Sequence, residues 1–449
     1  MTGTRMSTPR GRARARYHDP EWWLLSVLLM LVMFGTVMVF SASFPDVAVE
    51  EGLARYSVLV RQLVYVAVGC AGLIVAMRID YHAYYRHSFW MMLGIVALLM
   101  ALVFMPGVGT EVFGAKRWII IGPLSFQPSE LAKPLMILYM ASWLSAKGKR
   151  VTSFSHGLVQ FSVVMGLLVG LVMLEPDLGT SALLVTVGVA MFFVAGAQPV
   201  QFASFLILGA TAFLTMALSA PYRRERIFVF LNPDADVQNL GWQLYQARLA
   251  LGSGGLLGLG LGASRQKFSW LPAAHNDAIF AVIGEELGLI GCGFVVMLFC
   301  AIAYRGYKIA TRAPDSFGTL IAVGITTWLI FQAAFNIGGI TTAIPFTGIP
   351  LPFISAGGTS LVVSMTALGV LLNVSRQTLS AAELAPTTEG GRLPRKRTAT
   401  RQHTREFHPT RRRSTRAPSR PAPMRGEAFG RAASDGGRSP GGMGGGSRR

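Results

Sequence analysis

Apolar residues along the chain fall into long runs that are separated by short polar segments. Ten of these runs are long enough, or nearly so, to cross about 30 Å of hydrocarbon as helices. They lie near residues 22–43, 59–77, 87–105, 130–145, 157–174, 178–196, 202–220, 278–304, 317–337 and 356–374. The pattern therefore predicts an all-α polytopic membrane protein with ten transmembrane helices.

The composition agrees with this class. Of the 449 residues, 52% are hydrophobic and 14% are charged, whereas soluble domains average about 25% charged residues. Cys70, Cys292 and Cys300 all fall inside predicted spans without metal-ligand spacing, so we expect them to pack as small apolar side chains. The first apolar run is too long for a cleavable signal peptide. No cofactor is indicated by these residues.

The net charge of +19 is concentrated at the two ends of the chain. Residues 1–20 carry five arginines and one aspartate, and residues 376–449 carry seventeen basic residues against five acids. The segment 377–449 is rich in Arg, Pro, Ser and Gly, which predicts a disordered tail. Its charge favours a position near anionic lipid over nucleic-acid binding. The sequence therefore predicts three parts of the chain: a basic tail (1–20), a membrane domain (21–376) and the C-terminal tail.

Basic residues in the short loops predict the orientation of the chain. The loops Arg78–Arg86, Lys147–Arg150 and Arg305–Arg312 are basic, which places them and both termini in the cytoplasm. The segments 44–58, 106–129, 175–177, 221–277 and 338–355 then face outward. The largest of them, residues 221–277, forms an extracytoplasmic loop between helices 7 and 8.

Two of the outward segments carry more than one basic residue. One contains Lys116 and Arg117, and the other contains Arg223, Arg224, Arg226, Arg248, Arg265 and Lys267. Charges in a long loop scarcely influence topology, which is one interpretation. The other is that they bind an anionic group at the outer surface. Lipid-linked phosphates suit guanidinium and ammonium groups well.

The long loop contains the glycine-rich stretch ALGSGGLLGLGLGAS, residues 250–264. A nucleotide-binding loop is excluded because no strand precedes this stretch. We expect its glycines to let the backbone approach a ligand or a neighbouring helix closely.

Three acids follow in LPAAHNDAIFAVIGEELGLIG, residues 271–291. Asp277 is interpreted either as the N-cap of the eighth span or as a general base at the membrane–water boundary. Glu285 and Glu286 lie deeper and face different sides of the helix, so at least one is expected to contact another helix. Their depth favours a structural role, which leaves Asp277 as the acid best placed for chemistry.

Further polar residues lie at the predicted outer boundary. Glu130 and Lys133 can pair on one helix face after Pro128 at the helix start. Glu175 and Asp177 occupy a hairpin too short to bury its own acids, so they are expected to meet basic residues of other loops. Residues 336–360 are rich in Gly, Pro, Ser and Thr, which predicts a re-entrant wall of an outward-facing cavity.

Several of these motifs occur together, in order, in one known family. The chain resembles the SEDS proteins, the FtsW and RodA peptidoglycan glycosyltransferases of bacterial cell elongation and division. The resemblance covers residues 22–376 and rests on KRW, QPSELAK, EPDLGT, YRRERI, the GSGG…GLG…QK loop, HNDAIFAVIGEELG, NIG and TGIPLPFISAGG. Ala278 and Ala356 depart from the commoner Phe and Tyr of the family. These variants are most similar to an actinobacterial FtsW.

The resemblance implies polymerisation of lipid II onto a glycan carried by undecaprenyl pyrophosphate, with Asp277 as the catalytic base. The expected substrate-binding residues are Lys116, Arg117, Glu130, Lys133, Arg223, Arg224, Arg226, Lys267 and His275. Glu175, Asp177, Glu285 and Glu286 are expected to support them. A divalent cation, Mg²⁺ or Mn²⁺, could assist, although no ligand set in the sequence demonstrates one.

The implied partners are a class B penicillin-binding protein, an FtsI-like transpeptidase, and other divisome proteins. The implied location is the cell membrane at the division septum. Two alternatives remain: a transporter that flips lipid II, and a scaffold for division proteins. An enzyme is favoured over a flippase because nearly all polar groups lie on the predicted outer side, without a matching inner gate.

Overall fold

The computed structural model describes residues 19–47, 56–105, 110–112, 115–121, 124–219, 224, 228–232, 240–268, 270–272 and 274–378. These residues belong to one compact unit, Met1–Pro386. Most of the expected N-terminal tail (1–20) and the expected C-terminal tail beyond residue 378 lie outside the described residues, as do Arg223 and Arg226.

Helices make up most of the described part of the chain. They are α1 (Trp22–Val47), α2 (Ser57–Arg78), α3 (Tyr81–Phe104), α4 (Pro128–Lys147), α5 (Gln160–Leu174), α6 (Leu178–Val194), α7 (Pro199–Ser219), α8 (Leu240–Ser253), α9 (Ile279–Arg312), α10 (Ser316–Ile340) and α11 (Thr359–Ser375). A 3₁₀ turn, Gly148–Thr152, and a π-helical turn, Phe154–Val159, join α4 to α5. Each of the ten predicted apolar runs overlaps one of these helices.

Six helical stretches among the described residues are long and apolar enough to cross a membrane. They are Trp22–Phe44, Ser57–Arg78, Tyr81–Phe104, Phe154–Leu174, Ile279–Arg312 and Ser316–Ile340. Shorter apolar helices accompany them at Leu178–Val194 and Thr359–Ser375. The protein is therefore a helical, polytopic membrane protein.

The helix α10 is the centre of the bundle. In its most apolar window 72% of the residues are buried inside the protein, against 22–44% in the other five stretches. It packs against α4, α6, α9 and α11. Asp315 caps its first turn by accepting a hydrogen bond from the backbone N–H of Gly318 at 2.7 Å. Polar side chains on α10 consequently lie deep inside the protein.

A small antiparallel sheet departs from the all-helical prediction. The strands β1 (Thr110–Val112), β2 (Ala115–Ile121) and β3 (Leu124–Phe126) pair in that order, with Lys116 opposite Glu111. The run Ile119–Ile121 explains β2, because β-branched side chains favour extended backbone. This segment was expected only to face outward, without strands; the strands are too short for the pattern of apolar residues to reveal them.

The helix α9 is interrupted, which the uninterrupted apolar run did not predict. Gly288 has φ 65° and ψ −163°, so the regular i to i−4 hydrogen bonds stop there. The segment 255–260 replaces them. The N–H groups of Leu259 and Gly260 donate to the carbonyls of Glu285 and Glu286, at 2.9 and 3.0 Å.

The same segment also accepts hydrogen bonds from α9 on the other side of the break. The N–H groups of Leu289 and Ile290 donate to the carbonyls of Gly255 and Leu256, at 2.9 and 3.2 Å. A long apolar helix is thus divided in two without leaving these four backbone groups unpaired. The close approach that the glycines of this loop were expected to allow is observed, and the neighbour is the broken helix.

Gly258 is a position at which this contact leaves no room for a side chain. A β-carbon there would lie 2.2 Å from the carbonyl oxygen of Glu286, and the residue has φ 80°. We expect Gly258→Ala to lower the free energy of unfolding by about 1–3 kcal/mol, since strain and a backbone clash add. Thermal unfolding of the purified protein in detergent measures this.

Gly293→Ala is the matched control, because nothing lies within 4 Å of a β-carbon at that position in α9. Alanine there should be neutral or stabilise the helix by about 0.5–1 kcal/mol. Equal melting temperatures for the two variants would contradict the packing of the glycine-rich loop on the broken helix.

Candidate functional site

Asp277 lies in the short turn that leads into α9, and its side chain is partly exposed. The helix begins at Ile279, with Ala278 at the N-cap position. The N-cap interpretation of Asp277 is therefore wrong by one residue: the cap position is held by a residue without a capping side chain.

The backbone of the His-Asn-Asp turn is fixed at three successive residues. The carbonyl of His275 accepts from the N–H of Ala356 at 3.0 Å. The carbonyl of Asn276 accepts from Ser355 Oγ, and that of Asp277 from Asn336 Nδ2, both at 2.8 Å. Three such bonds hold the turn against α10 and the segment that follows it. A carboxylate held in this way is suited to general-base chemistry, which depends on accurate placement.

The irregular segment 341–358 is itself held by amide side chains of α10. Asn336 Nδ2 also donates to the carbonyl of Ile349 at 2.8 Å, and Gln332 Nε2 donates to the carbonyl of Pro350 at 2.9 Å. Within the segment, the N–H of Leu351 donates to Ser355 Oγ at 2.8 Å. Neither Gln332 nor Ser355 was singled out from the sequence. A glutamine in an otherwise apolar, central helix was the signal available.

Glu130 and Lys133 form an ion pair at the start of α4. Glu130 Oε2 lies 2.7 Å from Lys133 Nζ, and the two side chains are 4% and 2% exposed. Lys133 Nζ also donates to Gln332 Oε1 at 3.0 Å and lies 5.3 Å from the centre of the Trp328 ring. Since Gln332 and Asn336 are one turn apart on α10, this pair and the Asp277 turn are attached to the same face of the central helix.

The hairpin between α5 and α6 is held by Arg117. Its Nε and Nη2 donate to the carbonyls of Glu175 and Pro176, both at 2.7 Å. The two acids of the hairpin were expected to meet basic residues of other loops. Arg117 does reach the hairpin, but it binds backbone carbonyls and not the carboxylates. Asp177 caps α6 by accepting from the N–H of Thr180 at 2.9 Å, and it also accepts from Gln127 Nε2 at 3.3 Å.

Glu175 is buried in this hairpin with an exposure of 2%. Neither of its carboxyl oxygens has a hydrogen-bond partner among the described residues. Burial, and next the Asp177 carboxylate, raise the pKa of Glu175 to about 8, against an opposing effect of Arg117. Burial thus favours the neutral form of this carboxyl.

Glu285 and Glu286 bind the end of the glycine-rich loop from adjacent positions of α9. Glu285 accepts from Ser264 Oγ at 2.5 Å and from the N–H of Arg265 at 2.9 Å. Glu286 pairs with Lys267 at 2.8 Å, and Ser41 Oγ of α1 donates to it at 2.8 Å. The different faces expected for the two glutamates explain why one binds the loop backbone and the other reaches α1.

The structure thus assembles part of the predicted site and separates the rest from it. Asp277, His275, Glu130 and Lys133 are connected through α10. Lys267 is buried against Glu286, and Arg117 is bound to hairpin carbonyls. Arg224 is exposed. Among the described residues no group of three His, Cys, Asp or Glu side chains could hold a metal ion.

The raised pKa of Glu175 predicts a pH dependence of stability. The unfolded chain loses this proton near pH 4.5 and the folded protein near pH 8, so the folded state binds the extra proton between these values and stability declines as the pH rises through this window. We expect Glu175→Gln to match the wild type below pH 4.5 and to exceed its melting temperature increasingly up to about pH 8. Parallel melting-temperature profiles of the two proteins would refute the burial of an unpaired carboxyl.

Known proteins are similar to this chain over most of its length. Stage V sporulation protein E of Bacillus subtilis is 41% identical over 360 residues, which is 80% of this chain and 97% of that protein. The probable peptidoglycan glycosyltransferase FtsW of Geobacter metallireducens is 42% identical over 358 residues, 79% of this chain and 95% of its own.

Solved structures share the fold. A chain from a peptidoglycan synthase complex that coordinates polymerization and crosslinking matches with a TM-score of 0.64 at 24% identity, over 80% of this chain and 98% of that one. The rod shape determining protein RodA of Thermus thermophilus matches with a TM-score of 0.60 at 24% identity, over 83% and 100%. Residues 21–380 match the family described as cell cycle proteins, which comprises FtsW, RodA and SpoVE. The chain belongs to this FtsW/RodA/SpoVE family.

Proposed function

We propose that this protein is a peptidoglycan glycosyltransferase that polymerises lipid II into glycan strands during cell division. The single observation that carries the proposal is the Asp277 turn, in which three consecutive carbonyls are hydrogen-bonded to α10 and to residues 355–356. Relatives at about 40% identity that bear the name peptidoglycan glycosyltransferase FtsW support the same activity. The closer placement with an actinobacterial FtsW stays a prediction.

In the proposed reaction, Asp277 acts as a general base. Its carboxylate takes the proton from the 4-hydroxyl of the N-acetylglucosamine of lipid II as that oxygen attacks the anomeric carbon of the growing glycan. The β-1,4 bond forms with inversion, and undecaprenyl pyrophosphate leaves with the electron pair of the broken bond. His275, adjacent in the same fixed turn, is proposed to contact the substrate.

The phosphates need cations that are not already paired. Lys133 and Lys267 are each bound to a glutamate, and Arg117 is bound to hairpin carbonyls. We therefore assign a structural role to these three residues. Lys116, Arg223, Arg224 and Arg226 remain the proposed phosphate-binding residues, because developing charge on the leaving group favours guanidinium and ammonium donors.

Asp277→Asn tests the catalytic assignment directly. Asparagine keeps the size of the side chain and the carbonyl that accepts from Asn336, so folding and lipid II binding should be retained. Because general-base assistance is worth typically 10²–10⁴-fold in rate, polymer formation should fall by about that factor. The measurement is labelled glycan on gels from matched amounts of monodisperse protein, with the melting temperature recorded alongside.

Glu286→Gln is the matched control. It leaves Lys267 buried without its carboxylate, which typically costs about 3–5 kcal/mol, so stability should fall before the rate per folded molecule does. Near-normal polymerisation by Asp277→Asn would contradict the assignment of Asp277 as the general base. Glu130 and Asp177 would then be the next candidates for that role.

The topology is part of the same proposal. We assign ten spans, α1–α7 and α9–α11, with both termini in the cytoplasm and residues 221–277 outside, since the basic short loops support that orientation. A cysteine at the exposed Ala263 should react with an impermeant maleimide in intact cells. Reaction only after permeabilisation would overturn the topology and the mechanism together.

A class B penicillin-binding protein is the proposed partner, with the septal cell membrane and other divisome proteins as the setting. The similar fold of a chain from a peptidoglycan synthase complex supports this partner. Polymerisation measured with and without the purified transpeptidase tests it: an increase with the transpeptidase supports the pairing, and equal rates contradict an activating role.

A further inference from the structure

Residues 254–262, here the glycine–leucine loop, present an unusual surface. Their leucines alternate with glycines and are strongly exposed: Leu256 is 68% and Leu257 is 78% exposed. Leu259 and Leu261 are also exposed, and none of residues 254–262 is charged. From the sequence this stretch lay in an extracytoplasmic loop, where four exposed leucines in water would be unfavourable.

Part of the backbone of this loop is bound by protein. Four of its hydrogen bonds are made to the two halves of α9 across the break at Gly288. A non-helical segment is tolerated at membrane depth only when its polar groups find such partners. At these four groups the glycine–leucine loop meets this requirement, and its leucine side chains are exposed.

The exposed leucines continue the surface of α9 that faces away from the bundle. Leu289 and Ile290, whose N–H groups bind the loop, are 64% and 62% exposed. Along the same helix Met297 is also exposed. The loop and the outer surface of α9 therefore form one apolar surface without a polar boundary between them.

The length of α9 fixes the depth of this surface. Its cytoplasmic boundary lies near Tyr304 and Arg305, where Arg305 pairs with Glu21 and lies 5.9 Å from the Trp23 ring. From Leu289 to Tyr304 the helix rises about 23 Å, which is less than the roughly 30 Å of hydrocarbon. A tilt of the helix would reduce this depth further. The loop residues paired with Leu289 and Ile290 consequently lie below the outer limit of the hydrocarbon.

We infer that the glycine–leucine loop is inserted among the acyl chains of the outer leaflet. It anchors the segment before Asp277 to the membrane, because residues 264–267 that follow it are bound by Glu285 and Glu286. The occupant of the surface is lipid hydrocarbon. This inference rests on the proposed orientation of the spans, but not on the catalytic role of Asp277.

Spin-label accessibility tests the inference without reference to activity. In protein lacking Cys70, Cys292 and Cys300, a label is placed at Leu257 and the protein is reconstituted in nanodiscs of phosphatidylcholine and phosphatidylglycerol. Collision with oxygen and with a water-soluble nickel chelate is then measured. Met297 on α9 is exposed and is the reference expected to face lipid. Ala263, exposed six residues after Leu257, is the matched control expected to face water.

The expected result is a ratio of oxygen to nickel collisions at Leu257 that matches Met297 and is several-fold higher than at Ala263. A label at Leu256 should give the same result and guards against a local effect of one substitution. Free access of the nickel chelate to both leucine positions would overturn the inference. Protection from both reagents would also overturn it, and would indicate that another protein surface, such as a second copy of this chain, covers the loop.

Discussion

A backbone group that leaves a helix inside a membrane protein must find another partner, because water is scarce there. Two parts of this protein are shaped by that constraint. At Gly288 the interrupted α9 receives the glycine–leucine loop, which replaces the missing helical bonds. Beyond α10, the amides of Gln332 and Asn336 bind the carbonyls of the irregular segment 341–358. The placement of the Asp277 turn depends on both.

The Asp277 turn is attached on two sides by these arrangements. Upstream, residues 264–267 are held by Glu285 and Glu286, so the chain enters the turn from a fixed position. Downstream, Asn336 and Ser355 bind the carbonyls of the turn. Ala356, which stands where the family commonly has Tyr, donates its backbone N–H to the carbonyl of His275. A smaller side chain at this position therefore leaves the contact with the turn intact. A catalytic carboxylate benefits from such pre-organisation.

Buried ion pairs have a structural role in this protein. In each pair the lysine exchanges its hydration for one close carboxylate, Glu130 for Lys133 and Glu286 for Lys267. Gln332 also binds Lys133, and Ser41 also binds Glu286. Such pairs add little net stability compared with apolar packing, but removing one partner is costly. They therefore select one arrangement of α1, α4, α9 and α10 over others, which suits a site built from distant parts of the chain.

Local sequence determined the helices and the membrane class, since apolar runs of sufficient length have few alternatives to spanning a bilayer. It also predicted the Glu130–Lys133 pair and the close approach of the glycine-rich stretch, and it singled out Asp277 as the proposed base. The break at Gly288 was decided by tertiary contacts, because a glycine inside an apolar run is compatible with a continuous helix until another segment supplies the missing hydrogen bonds. Tertiary structure likewise decided that Lys267 and Arg117 bind protein groups: Ser41 lies 226 residues from Lys267 in sequence, and the hairpin carbonyl lies 58 residues from Arg117. Charge alone reveals that a cation needs a partner, whereas folding determines which one it meets.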